Sequence, residues 1–179
     1  NFNSRNIPNF LSVSRILLLI PIITLFESGF FLLSLTACIL ASVTDYLDGY
    51  FARKNNQTSD IGALLDLLAD KLFVSILLIW MTFNFGNTLI LISAILIVSR
   101  EISISYLRLL IVSKSKPISD VKSDILGKYK TAIQMTGLGL ILITPITPNF
   151  ILDVSLALLI LSAIISWYSL INYLNKWIL

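Results

Sequence analysis

With 179 residues, 56% of them hydrophobic and only 13% charged, the chain is too apolar for an ordinary soluble domain and reads as a single polytopic membrane domain over 1–179. Its net charge of +3 does not mark a nucleic-acid binder, because the Lys and Arg residues lie in short loops and near helix ends rather than in a long polar stripe. The absence of histidine and the single cysteine, Cys38, exclude a disulfide framework and leave oxygen as the main ligand for any metal.

Six membrane spans are predicted, in an all-α protein. Residues 1–8 (NFNSRNIP) form an interfacial lead-in, with Pro8 placed to begin a helix and Phe2 and Phe10 able to dip into the membrane interface. The first span covers 9–26, and Pro21 kinks it without ending it. Its basic N-terminal side also suits a cleaved signal peptide, but no small-residue cleavage site precedes the polar break at Glu27, Ser28 and Gly29, so a retained span is expected. The second span, 30–51, carries Asp45 and Asp48 in its last two turns, and the stretch RKNNQTS (53–59) is the clearest loop. A third span begins near Asp60 or Ile61, carries Asp66 and Asp70, and runs to Phe83. After a turn at Gly86 and Asn87 the fourth span reaches Val112 and contains Arg100, Glu101 and Arg108 in otherwise apolar surroundings. The linker SKSKPISDVKS (113–123) is polar and basic, and Pro117 argues against one continuous helix through it. Lys128 and Lys130 open a fifth span ending near Ile143. TPITPN, with Pro145 and Pro148, leads to a sixth over 151–177, anchored by Tyr173, Lys176 and Trp177. The loops near Glu27, Phe85 and Pro145 carry no Lys or Arg, whereas the other ends hold nearly all of them. Both termini, and the charged ends of the spans, are therefore expected on the cytoplasmic side of the inner membrane.

Asp45 and Asp48 are three residues apart and Asp66 and Asp70 four apart, so each pair projects from one face of its helix, and a short turn joins the two helices into one four-carboxylate cluster. An unpaired Asp costs roughly 2.5–3.5 kcal/mol in a bilayer, so the cluster demands a cationic partner. Oxygen ligands without imidazole suit hard divalent ions, and two of them would balance four aspartates. A pair of metals is a recurring device in phosphoryl chemistry. Salt bridges to Arg53, Lys54 and Lys71 are the alternative. Gly49, Ala52 and Gly62 flank the aspartates and open room for a bulky ligand, although small residues in membrane helices also serve as packing devices. A second charged group lies downstream: Arg100 and Arg108 share a helical face with Ser105 nearby, and Lys128, Lys130 and Thr131 open the next span. Such a set suits a phosphorylated alcohol better than a neutral or zwitterionic one. The competing assignment pairs Arg100 with Glu101 or with the aspartates and turns the lysines to the anionic leaflet.

Asp45, Asp48, Gly49, Ala52, Arg53, Gly62, Asp66 and Asp70 together fit the pattern D-x2-D-G-x2-A-R-x8-G-x3-D-x3-D, and on it the chain resembles the CDP-alcohol phosphotransferase family. The resemblance implies that family's six-helix fold, a homodimer, and transfer of a phosphatidyl-type group from a CDP-linked lipid to an alcohol with release of CMP. It further implies that the four aspartates hold two divalent cations, Mg2+ or Mn2+, that Asp70 doubles as the base for the acceptor hydroxyl, and that Gly49, Ala52 and Arg53 border the CDP moiety. A forked guanidinium such as that of Arg53 suits a pair of phosphate oxyanions. The segments NIPNFLSVSR (6–15), ADK (69–71), SREISISYLR (99–108) and GKYKTAIQM (127–135) are similar to those of the bacterial phosphatidylglycerophosphate synthases within that family. That likeness implies CDP-diacylglycerol as donor and glycerol-3-phosphate as acceptor, with the acceptor phosphate on Arg100, Arg108, Lys128 and Lys130. A different phosphorylated acceptor such as inositol phosphate, a divalent-ion transporter, and a non-catalytic assembly protein are the rivals.

Overall fold

The computed structural model describes the backbone at 7–54, 60–113 and 125–177, and side chains at 14–44, 69–107 and 129–175. Among the described residues all regular structure is helical: α1 (Ile7–Glu27), α2 (Phe31–Lys54), α3 (Asp60–Phe85), α4 (Thr88–Ser113), α5 (Ile125–Ile143) and α6 (Phe150–Trp177). A 3-10 turn, Thr144–Ile146, follows α5 and carries Pro145. The expected lead-in at 1–6 and the loops at 55–59 and 114–124 lie outside the described residues. Pro21 sits inside an unbroken α1, as its membrane-helix pattern predicts.

Local chemistry explains where the helices stop. Gly29 adopts a φ of 80°, its N–H donating to Phe26 O at 2.9 Å while the Phe30 N–H reaches Leu25 O at 2.8 Å, the paired bonds that close a helix around a left-handed glycine. Gly86, at a φ of 57°, ends α3 through a bond to Thr82 O. Asn87 then starts α4, its Oδ1 accepting the Leu89 N–H at 2.8 Å.

Each helix packs chiefly on two others, and the order α1, α2, α5, α6, α4, α3 closes back on α1. The core draws on every helix, through residues such as Ile22, Cys38, Leu77, Ile97, Leu138 and Leu159. Close approach is made by small side chains, as expected between helices that lack a hydrophobic drive in lipid. A Cβ on Gly137 would meet the Leu159 side chain at 3.2 Å and the Ser155 carbonyl at 3.3 Å, and one on Gly139 would meet Leu35 at 3.2 Å. Ser34 Oγ also bonds across the first hairpin, donating to Ile22 O at 2.7 Å.

The outside of the bundle is apolar, with Phe83 88% and Ile102 65% exposed among many other large hydrophobic side chains, while Arg15, Arg100, Lys130, Gln134 and four serines of α4 and α6 are buried. That inversion of the soluble pattern suits a lipid solvent. Two helical stretches, Thr88–Leu107 and Phe150–Asn175, are long and apolar enough to cross a membrane.

Gly137→Leu should force α5 and α6 apart, costing about 1–3 kcal/mol by overpacking. The check is a lower thermal unfolding midpoint in detergent than for wild type; an unchanged midpoint would contradict the close packing.

Candidate active site

α1 and α3 run parallel, because Arg15 meets Asp70 near their beginnings and Glu27 meets Trp80 and Asn84 near their ends. The short turns after α1, α3 and α5 reverse the chain each time. The beginnings of α1, α3 and α5 and the ends of α2, α4 and α6 consequently share one end of the bundle. All four signature aspartates belong to that end: the backbones of Asp45 and Asp48 lie in the last turns of α2, and those of Asp66 and Asp70 in the first turns of α3. Both helices stay unbroken through these residues, so each pair keeps the helical spacing that puts it on one face. The side chains of Asp45, Asp48, Gly49, Ala52, Arg53, Gly62 and Asp66 lie outside the described residues, as do those of Arg108 and Lys128 on α4 and α5.

Asp70 is described, and it is ion-paired. Its Oδ1 meets Nη1 of Arg15, a guanidinium that is 2% exposed on α1. The next residue, Lys71, points to a different neighbour: its Nζ donates to Ser105 Oγ and, at 3.4 Å, to the Glu101 carbonyl, both on α4. Consecutive residues on a helix diverge by about 100°, which is how one step of α3 reaches both α1 and α4.

From α4 the network continues into α5 and α6. Glu101 Oε1 accepts from Arg100 Nη1 at 2.9 Å and from Lys130 Nζ. Arg100 Nε donates to Ser166 O at 3.0 Å and Lys130 Nζ to Ser166 Oγ at 3.3 Å, and Trp167 Nε1 fastens α6 to Leu96 O at 3.0 Å. Arg100, Ser105 and Lys130, expected from sequence in one anion site, are thus brought together. Thr131, expected with them, is exposed on α5. The pairing of Arg100 with Glu101, which sequence left as an alternative, is present; Lys130, by contrast, is buried at 7% exposure rather than turned to a leaflet. Two cations, Arg100 and Lys130, converge on the Glu101 carboxylate and a third, Lys71, meets its backbone carbonyl, so the cluster keeps an excess of positive charge that suits an anion.

Sequence reasoning gave no role to Arg15 or Ser166, and to the Glu101 side chain only that of an alternative partner for Arg100. Arg15 carried a signal that was available: it is a lone cation facing the apolar run ILLLIPII, and ionised residues within spans are functional by default. Ser166 had none, one serine among several on α6.

A helical bundle with an apolar exterior and ionised side chains gathered inside one end defines a class of membrane-embedded proteins. Within it, the family model for CDP-alcohol phosphatidyltransferase matches residues 5–171, and the chain belongs to that family. It is 38% identical over 174 residues to a Haemophilus influenzae protein named CDP-diacylglycerol–glycerol-3-phosphate 3-phosphatidyltransferase, covering 95% of this chain and 92% of that one. Proteins of the same name from Pseudomonas fluorescens and Salmonella choleraesuis are 32% and 33% identical, over 95% of this chain and 89% and 93% of theirs.

Deleting the shared carboxylate should be costly, since it leaves two buried cations without their partner. Glu101→Ala is expected to lose on the order of 3 kcal/mol, whereas Ile102→Ala, at an exposed neighbouring position, should lose little. Thermal unfolding of both variants in one detergent makes the comparison, and equal midpoints would refute the role given to Glu101.

Proposed function

We propose that the chain transfers the phosphatidyl group of CDP-diacylglycerol to glycerol-3-phosphate, forming phosphatidylglycerophosphate and CMP for phospholipid biosynthesis. The observation that carries this reading is the cation-rich cluster of Lys71, Arg100 and Lys130 beside Asp70, in a chain matched along 95% of its length by relatives named for that reaction. A phosphate monoester carries close to two negative charges near neutral pH, which the excess positive charge of the cluster complements.

All six helices serve as membrane spans in this reading. They have 19 to 28 residues, and at about 1.5 Å per residue the shortest is near the thickness of a hydrocarbon core. Basic loops orient both termini and the site toward the cytoplasm, and the lipid tails of donor and product stay in the bilayer. We further take the protein to be a homodimer, by its family resemblance.

Asp45, Asp48, Asp66 and Asp70 would hold two divalent cations, Mg2+ or Mn2+. The donor set fits hard ions: it is all carboxylate, its two helices are unbroken, and Asp70 offers an open carboxylate edge. Bound there, the ions would neutralise charge on the pyrophosphate and on the departing phosphate. The remaining work falls to side chains. Arg53 faces the donor phosphates, while Gly49, Ala52 and Gly62 leave room for the CDP moiety. Arg100, Ser105, Arg108, Lys128, Lys130 and Thr131 bind the acceptor phosphate. Asp70 takes the proton of the acceptor's primary hydroxyl as its oxygen bonds to the phosphatidyl phosphorus. The bond from that phosphorus to the bridging oxygen breaks, and CMP leaves with the electron pair.

Purified protein with CDP-diacylglycerol, Mg2+ or Mn2+ and glycerol-3-phosphate should release CMP. Release with inositol phosphate but not with glycerol-3-phosphate would overturn the acceptor assignment. Chelation by EDTA should stop turnover and added Mg2+ or Mn2+ restore it; undiminished turnover after chelation would remove the metals from the reading. Asp70→Asn should abolish turnover while CDP-lipid still binds, and near-normal turnover would take the base role from Asp70.

A further inference from the structure

We propose that Arg15 is a positioning residue for Asp70, clamping one carboxylate oxygen so that the other is presented to the reacting hydroxyl. This rests on the base role given to Asp70 above.

The geometry is one-sided. Asp70 Oδ1 is buried where Arg15 Nη1 meets it, yet the Asp70 side chain as a whole is 44% exposed. With Oδ1 covered, the open part of the carboxylate is its Oδ2 edge. Arg15 itself is 2% exposed, so it cannot share the acceptor with Asp70; it acts through the carboxylate. Its place in the fold is specific as well. α1 packs on both α2 and α3, the two helices that carry the signature aspartates, and Arg15 is the α1 residue at the level of Asp70.

A topological role does not account for this arginine. Loop cations orient membrane proteins from the water side, whereas a cation inside the bundle costs roughly 2.5–3.5 kcal/mol on insertion scales. A base that must meet one hydroxyl proton gains from a fixed orientation, since misplacement by about 1 Å can cost 100-fold in rate. A planar guanidinium fixes a carboxylate plane in a way that an ammonium, a point charge, does not. On the other side of Asp70, Lys71 holds α3 to α4, so the register of the base is braced from two directions.

The test compares wild type with Arg15→Gln and Arg15→Lys in steady-state CMP release, alongside thermal unfolding. Arg15→Gln should lower kcat roughly 10- to 100-fold, with the KM of each substrate within about two-fold of wild type and the unfolding midpoint little changed. Arg15→Lys, keeping the charge without the fork, should fall between the two. A kcat for Arg15→Gln within about two-fold of wild type overturns the proposal, and so does a loss that appears in KM or runs parallel to a lowered midpoint. Should Arg15→Gln not fold, Arg15→Lys decides by the same split, and failure of both to fold makes Arg15 a bundle-holding residue and overturns it equally. An inactive wild type with every acceptor sinks the functional reading and this proposal with it. Active wild type beside undiminished Arg15→Gln sinks the proposal alone.

Discussion

Two consecutive side chains of opposite charge, Asp70 and Lys71, tie α3 in two directions at once, to Arg15 on α1 and to Ser105 and the Glu101 carbonyl on α4. Arg15, 2% exposed inside an apolar bundle, needs such a partner, because a buried ionised group without one costs several kcal/mol. The rest of the polar interior follows from the same requirement. Glu101 answers Arg100 and Lys130, and the α6 backbone and hydroxyl at Ser166 take donors that Glu101 leaves over. A single chain of contacts therefore runs from α1 through α3, α4 and α5 to α6. At the far end of the bundle Glu27 meets Trp80 and Asn84, all exposed or half-buried, in the position where aromatic and amide groups meet a membrane interface.

Packing and electrostatics divide the molecule between them. Toward the far end, small residues let helices touch, as at Gly137 against Ser155 and Leu159, and dispersion contacts over that close approach hold the bundle. Toward the charged end, ion pairs and hydrogen bonds join the helices while the Asp70 side chain stays 44% exposed. A site for highly charged substrates needs such a division: the apolar half anchors the helices, so the polar half does not have to be closely packed.

The helices were legible because their punctuation is local. Helices expected at 9–26, 30–51 and 60–83 are found as Ile7–Glu27, Phe31–Lys54 and Asp60–Phe85, and the breaks fall at Gly29, at Gly86 with Asn87 and at Pro145. Left-handed glycines, a capping asparagine and a proline act over a few residues, which a sequence displays directly. The order of packing, α1, α2, α5, α6, α4, α3, was not legible. Helices that are apolar all round carry no stripe to say which face turns inward. For the same reason Arg15 carried no assigned role: its partner is 55 residues away, and only the parallel packing of α1 on α3 brings them together. Of the expected acceptor group, Arg100, Ser105 and Lys130 were found together, while Glu101, the residue that holds two of them, was expected only as the alternative partner of Arg100.

Adjacency of Asp70 and Lys71 has a mechanical consequence for the donor and acceptor halves. The aspartates belong to α2 and α3, the cations to α3, α4 and α5, and α3 is the one helix common to both sets. On the proposed reading, in which Asp70 is the base, the backbones of Asp70 and Lys71 keep their separation for as long as the helix between them is intact. Loops or separate domains that carried the two halves would have to close in order to align them, at an entropic cost. Here the alignment is set when α3 folds, and the contacts on either side of it, to α1 and to α4, fix its rotation.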